Sequence, residues 1–494
     1  MIKDWSQKWS VYRPDYLAVK EDGSQRALTY RELNLYAERL ASYLFHHYQI
    51  HRGMRIAVLA ETCIEYVVLF SAAQKLGFVL VPLNYRYTGR ELSYLLKDSQ
   101  ADLILFAEAY RQQLDGLPEF ESKRNLDLNE LEGIWSQKQP AFSPMDILDE
   151  DPIFILYTSG TTGFPKGAIY THKMLFWNSI NTAMSLIVNT ESRTINCMPP
   201  FHTGGWNVLL TPFLHHGAYT VLMKKFDPER VLELLQEEKV TIFMGVPTML
   251  QMISQLPAFE SAAFPDLLYL IVGGEAMPIP LIERWDEKEV AVRQGYGMTE
   301  VGPNITSLHQ DDAIRKKGSI GRANFYVETK IVDEEGHECP PNVPGEFLLK
   351  GPMCFPAYWN NEKATQESFL DGWFRTGDRV VKDEEGYIYV VDRIKNMFIS
   401  GGENVYPAEV EHYILTHPKV ETVAVVGVPD PQWGEVGNAY LVTSDSSSAE
   451  EMRAYCLKGL AKFKIPKYWT FMDDLPKNDT GKIDRQKLKQ SHKH

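Results

Sequence analysis

Apolar residues recur at helical spacing through Tyr30–Tyr48, in TYRELNLYAERLASYLFHHY, and Thr29 precedes them as a cap for the first turn. The apolar run RIAVLA at Arg55–Ala60 predicts a strand, an amphipathic helix is expected over Glu65–Leu76, and GFVLVPLN continues as a second strand. The same alternation returns in YTVLMKKF, in a helix over Pro228–Glu238, in VTIFMGVP and in LLYLIVGGEA. Strands alternating with helices predict parallel sheets covered by helices, an α/β fold.

From Lys330 to Gly351 the pattern changes to short strands separated by turns. A hairpin follows over Val380–Phe398, its two apolar runs joined by the acidic turn Asp383-Glu384-Glu385-Gly386. A small βα-rich segment completes the chain. The change of pattern puts a boundary near Lys395, giving a large domain over 1–394 and a small one over 395–494, with no internal repeat.

With 494 residues the chain is too long for one compact core. Its net charge of −14 repels a phosphate backbone, so general nucleic-acid binding is disfavoured and any polyanionic ligand must be held locally. Five scattered cysteines form neither a disulfide framework nor a CxxC metal pattern, which fits reduced thiols in a cytoplasm. Met1–Tyr16 lacks the apolar core of a signal peptide, and no apolar run approaches the roughly 20 residues of a membrane span. Membrane contact is expected to be peripheral at most, and a homodimer is compatible with the sequence.

The segment Tyr157-Thr158-Ser159-Gly160-Thr161-Thr162-Gly163-Phe164-Pro165-Lys166-Gly167 follows an apolar strand with short hydroxyl residues, glycines and a lysine. Such a loop wraps phosphate oxygens with N–H groups, hydroxyls and an ammonium. It is not a Walker A loop, because Lys166 stands between Pro165 and Gly167 instead of in a terminal Gly-Lys-Ser/Thr. Here the chain resembles the adenylate-forming superfamily, which includes acyl-CoA synthetases, firefly luciferase and the adenylation domains of peptide synthetases. The resemblance runs from about Leu28 to Lys487, with motifs in family order.

What the resemblance implies is a large N-terminal domain of parallel α/β sheets with a small β-barrel-like subdomain, and a small mobile α+β C-terminal lid. In it Thr158, Ser159, Gly160, Thr161, Thr162 and Lys166 take the phosphates. Within Gln294-Gly295-Tyr296-Gly297-Met298-Thr299-Glu300, Tyr296 packs on adenine, Thr299 contacts phosphate and Glu300 holds Mg²⁺ together with Thr158. Gly273, Gly274, Glu275 and Ala276 line the adenine and acyl pockets. Asp378 accepts the ribose hydroxyls, Arg393 adds a ribose or phosphate contact, Lys395 is the hinge, and Lys482 bridges carboxylate and α-phosphate.

Selectivity in the family falls in Pro200-Phe201-His202-Thr203-Gly204-Gly205-Trp206. Amino-acid-activating members carry an Asp directly after the Phe, whereas this chain has His202, and an unpaired ammonium in an apolar pocket is costly. An acyl pocket over His202, Trp206, Val246, Gly273 and Met298 suits a medium- or long-chain fatty acid; the alternatives are an aryl acid of benzoate, coumarate or succinylbenzoate type, or loading of a carrier protein. The segment at Gly401 and Gly402 resembles the lining of a pantetheine tunnel, and Trp433, Phe463 and Lys467 match contacts to the nucleotide end of CoA. Ile465 replaces a basic residue that some relatives have there. From Lys458 to His494 ten Lys or Arg stand against four Asp, a basic excess that suits CoA's phosphates or a solvated tail alike. The expected activity is an ATP-, Mg²⁺- and CoA-dependent acid–thiol ligase.

Overall fold

The computed structural model describes residues 1–492 apart from Pro144, 159–164, Glu275, Ala276, Ile394, Lys395, Gly401, Gly402, Ala461, Asp479 and Thr480, with Arg393, Glu403 and Asn404 described through their backbone alone. The chain divides into two compact units: one of 1–329 and 349–374, the other of 330–348 and 375–494. The expected boundary at Lys395 lies inside the second of these.

In the first unit a six-stranded sheet runs Arg124–Asp127, Leu103–Phe106, Arg55–Leu59, Val79–Pro82, Pro152–Thr158, Lys166–Thr171. All neighbours are parallel except the last pair, which is antiparallel. Val79–Pro82 and Leu103–Phe106 are buried at every position, the pattern of strands covered on both faces. A second sheet places Ile242–Gly245, Tyr269–Val272 and Ala291–Met298 in parallel, then turns back through the antiparallel Gly302–Ser307. A third joins Leu17–Glu21 to Tyr219–Leu222 and Arg193–Asn196.

The predicted first helix forms over Tyr30–Tyr48. Thr29 accepts from the Glu32 N–H and donates its own N–H to the Glu32 carboxylate, a reciprocal cap that starts the helix sharply. The helix expected to be amphipathic covers Ile64–Leu76 and is buried on all sides. Its two charged residues are matched individually: Glu65 pairs with Arg26, and the Lys75 ammonium reaches Asp4 at 2.7 Å and Asn34 at 2.6 Å. Buried charges need such partners, so the periodicity there marks paired groups and not a wet face.

The second unit is built on the antiparallel pair Val420–Asp430 and Gly434–Thr443, flanked by Phe398–Ser400 and, in parallel, by Tyr468–Phe471. Phe398, Val423, Val425, Ala439 and Leu441 pack beneath the helix Pro407–Ile414. A Cβ at Gly427 would lie 2.4 Å from that of Phe398, so glycine is what admits the ring. The predicted hairpin is also here from Arg375 onward, formed by the strand Trp373–Lys382 against Ile388–Arg393.

Candidate active site

The phosphate loop leaves the sheet at Thr158 and returns at Lys166, and these two residues are opposite each other in the antiparallel ladder. Ser159, Gly160, Thr161 and Thr162 lie outside the described residues. Both ends of the loop are braced. The Tyr157 hydroxyl donates to Asp98 Oδ2 at 2.6 Å, and burial together with that carboxylate pushes its pKa far up, so the phenol keeps its proton. The Tyr94 hydroxyl reaches the Pro165 carbonyl at 3.4 Å, and the Trp359 indole donates to the Asp98 carbonyl at 3.0 Å.

Tyr296, Gly297 and Met298 end the strand Ala291–Met298; Thr299–Val301 form one tight turn and Gly302, at φ +77°, reverses the chain. A Cβ on Gly297 would stand 2.2 Å from the Pro303 carbonyl oxygen, so this hairpin closes only around glycine. The turn buries Glu300. Its carbonyl accepts from the Phe355 N–H at 2.7 Å, and its Oε1 accepts from the Tyr358 hydroxyl at 2.7 Å.

Tyr358 joins the two motifs. The Lys166 ammonium lies 5.3 Å from the centre of its ring, and the backbone on either side is laced to the strand that carries Lys166. Ile169 N–H donates to the Ala357 carbonyl at 3.1 Å, and Trp359 N–H to the Gly167 carbonyl at 2.7 Å. Burial first, then the adjacent Glu300 charge, raises the Tyr358 pKa well beyond the phenol range, so it remains a donor. Sequence reasoning missed Tyr358, which is 58 residues from Glu300; the only local signal is an aromatic pair in a polar stretch.

Among the described residues no cation pairs with Glu300, and a buried carboxylate left this way beside a phosphate loop has the chemistry of a divalent-metal ligand. The residues present therefore fit Mg²⁺. Across the strand order, Gly273 and Gly274 follow Tyr269–Val272, with Gly274 at φ +86°; Glu275 and Ala276 are outside the described residues. Gln294 Oε1 accepts from the Met277 N–H at 2.9 Å and so ties that segment to the strand carrying Gly295.

On the acyl side His202 is half-buried with its ring 4.5 Å from that of Phe201, and Val246 flanks the helix Pro247–Ser254. Trp206 is 1% exposed. It packs among Tyr66, Phe70 and Phe154 with centroids 5.1–5.6 Å away, and its indole donates to the Pro200 carbonyl at 2.8 Å. Its side chain belongs to the aromatic core.

In the second unit Asp378 is buried and stands opposite Arg393 in the ladder; its N–H donates to Thr376 Oγ1 at 3.1 Å. Lys482 is exposed on a turn where its N–H donates to Asn478 Oδ1 at 3.1 Å and its carbonyl accepts from the Asn478 N–H at 2.7 Å. Lys395, Gly401 and Gly402 are outside the described residues. Trp433 is 49% exposed at the end of the long hairpin. Its N–H donates to Asp430 Oδ1 at 3.0 Å, while Asp430 Oδ2 takes the Lys467 ammonium at 2.5 Å, holding the Asp430 carboxyl below its usual range. Two expected CoA contacts thus share one buried carboxylate; Phe463 is exposed on a separate turn, Lys462–Lys464.

Residues 6–359 match the model of the AMP-binding enzyme family, and residues 409–482 that of the AMP-binding enzyme C-terminal domain. The chain is 37% identical to a feruloyl-CoA synthase of Amycolatopsis over 98% of its length and 97% of the relative's. It is 36% identical to a long-chain-fatty-acid–CoA ligase of Mycobacterium tuberculosis, over 97% of this chain and 96% of that one. The o-succinylbenzoate CoA synthetase of Bacillus subtilis, solved with its acyl-adenylate intermediate, superposes with a TM-score of 0.90 at 32% identity, covering 99% of this chain and 98% of that one. The chain therefore belongs to the AMP-binding enzyme family of adenylate-forming enzymes, in its acyl- and aryl-CoA ligase branch.

Proposed function

We propose that this protein is an AMP-forming acid–thiol ligase that converts a fatty or aryl carboxylic acid to its CoA thioester. The observation that carries the reading is the junction at Tyr358, which holds the buried Glu300 carboxylate beside Lys166 at the mouth of the phosphate loop. In the first half-reaction a carboxylate oxygen attacks the α-phosphorus of ATP and pyrophosphate leaves. Lys166 and the loop's hydroxyls, with Thr158 and Thr299, offset charge building on the phosphates. Mg²⁺ held by Glu300 and Thr158 supplies further neutralisation of that charge.

In the second half-reaction the CoA sulfur attacks the acyl carbon, AMP leaves and the thiol proton passes to solvent. Asp378 and Arg393 orient the ribose, His202 stands at the reacting carboxylate, and residues 395–494 act as a lid hinged at Lys395. Lys482 serves adenylation, and Gly401, Gly402, Trp433, Phe463 and Lys467 serve CoA. The five cysteines are all free thiols, which supports work in a reducing cytoplasm, and no helix of the described residues is long and apolar enough to cross a membrane. The working unit is proposed to be a homodimer. The test is pyrophosphate release over a graded panel of fatty and aryl acids, with and without CoA; thioester should form only when acid, MgATP and CoA are all present. Silence across the whole panel would overturn the reading.

A further inference from the structure

The helix Gly89–Ser99 carries none of the residues assigned to nucleotide, acid or CoA, yet it is tied to both limbs of the phosphate loop. Leu92, Leu95 and Leu96 pack into the core, while Tyr94 and Asp98, four residues apart and so neighbours on the helix, stand half-buried. Asp98 grips the outgoing limb with its side chain: Oδ2 accepts from the hydroxyl of Tyr157, one residue before Thr158, at 2.6 Å. It grips the returning limb with its main chain, through Trp359. The Trp359 indole donates to the Asp98 carbonyl at 3.0 Å, and the Trp359 backbone N–H donates at 2.7 Å to the carbonyl of Gly167, one residue after Lys166. Asn360 Nδ2 reaches the same Asp98 carbonyl at 3.3 Å, and the Tyr94 hydroxyl reaches Pro165 on the returning limb at 3.4 Å.

The helix is itself held at both ends. At its start the Thr88 N–H and hydroxyl both donate to the Glu91 carboxylate at 2.7 Å. At its end Arg55, on a central strand of the six-stranded sheet, donates to the carbonyls of Ser99 at 3.3 Å and Gln100 at 2.8 Å. The grip on the loop is therefore anchored in the sheet and does not depend on the loop's own residues. A hydroxyl bonded to a carboxylate is about twice as strong as a neutral pair, so the Tyr157–Asp98 bond is the firmest of these ties. Donors aimed at phosphate oxygens lose most of their effect when displaced by about 1 Å, so the spacing of the two limbs matters as much as the groups they carry.

We infer that Asp98 is a positioning residue for the phosphates of ATP: acting through Tyr157 on one limb and Trp359 on the other, it sets the opening of the phosphate loop before the nucleotide arrives. This inference rests on the ligase reading and concerns its first half-reaction alone, because pyrophosphate has left before the thiol attacks. Asp98 touches neither substrate nor reacting atoms.

The experiment follows the two half-reactions separately, with the acid that the wild type uses best. Tyr157→Phe and Asp98→Ala should each raise the KM for MgATP in pyrophosphate release by about tenfold, the consequence of losing one hydrogen bond to a charged partner. The KM for the acid and the rate of thioester formation from supplied acyl-adenylate should stay within about threefold of wild type. Asp98→Asn keeps an oxygen acceptor in place and should restore the MgATP KM to within about threefold. The double variant Tyr157→Phe/Asp98→Ala should be within about threefold of either single one, since both remove the same bond. Tyr157→Phe, which keeps the ring, is the variant read if Asp98→Ala fails to fold. An unchanged MgATP KM in Tyr157→Phe, a parallel loss of both half-reactions, or losses that multiply to about 100-fold in the double variant would overturn this inference and leave the ligase reading standing. A wild type that releases no pyrophosphate with any acid overturns both.

Discussion

Glu300 and Lys482 are both assigned to the adenylation step, yet the chain holds them in opposite ways. Glu300 is buried in a turn pinned through its carbonyl by Phe355 and through its carboxylate by Tyr358, with Gly297 and Gly302 making the hairpin close. Lys482 stands exposed on a turn where its N–H and its carbonyl both bond to Asn478. A group that stays with the nucleotide through both half-reactions gains from being fixed, because preorganised charge needs no rearrangement during reaction. A group needed for only one of them gains from being easy to withdraw.

The largest effect that can break this contrast is Lys482→Ala. Adenylation should fall by about 100- to 1,000-fold, the usual consequence of losing one charge-stabilising group. Thiolysis of a supplied acyl-adenylate should stay within about threefold of wild type. Equal loss in both half-reactions, followed separately as pyrophosphate release and thioester formation, would mean that Lys482 is as permanent a member of the site as Glu300.

A smaller effect is expected from Tyr358→Phe, which removes one hydrogen bond to a buried carboxylate and keeps the ring beside Lys166. Loss of such a bond costs about 1–3 kcal/mol, so adenylation should slow by about tenfold, with a higher Mg²⁺ concentration needed for half-maximal rate. A variant matching wild type in rate and in Mg²⁺ dependence would show that the hydroxyl does not position Glu300.

The last effect concerns the scaffold and is read in stability, not in rate. Burial lowers the pKa of His172 to about 4 and that of His215 to about 3, against about 6.5 in an unfolded chain. As pH falls below about 6.5 the unfolded state takes up these protons and the folded state does not. Stability present above that pH is therefore lost down to about pH 3–4, by up to about 1.4 kcal/mol per pH unit for each histidine. Both lie in the first unit, so hydrogen exchange between pH 7 and pH 4.5 should rise there ahead of the second unit. Exchange that rises first around Lys482 would reverse the order.

Local chemistry made much of this molecule legible before any coordinates. The Thr29 cap, the apolar strands Arg55–Leu59 and Val79–Pro82 and the acidic hairpin turn each depend on neighbours in the chain, and each forms where the pattern places it. Glu300, Asp378 and Lys482 stand out in the sequence because they sit inside recognisable segments. Tyr358 was not, since its meaning comes from a partner 58 residues away. Trp206 shows the converse: its place in a selectivity segment suggested the pocket, but its contacts with Tyr66, Phe70 and Phe154 are long-range and put it in the core. The burial of Ile64–Leu76 was hidden for the same reason, because Lys75 looks like a solvent residue until Asp4 and Asn34 are beside it.

The closure of the hairpin at Gly297 and Gly302 also narrows what mutation can do at this tip. Any side chain at 297 would run into the Pro303 carbonyl, and any at 302 would sit in a left-handed backbone against Asn178. Drift in sequence is therefore filtered here by shape before it is filtered by chemistry: a variant loses the turn before it can try another residue in the place of Glu300.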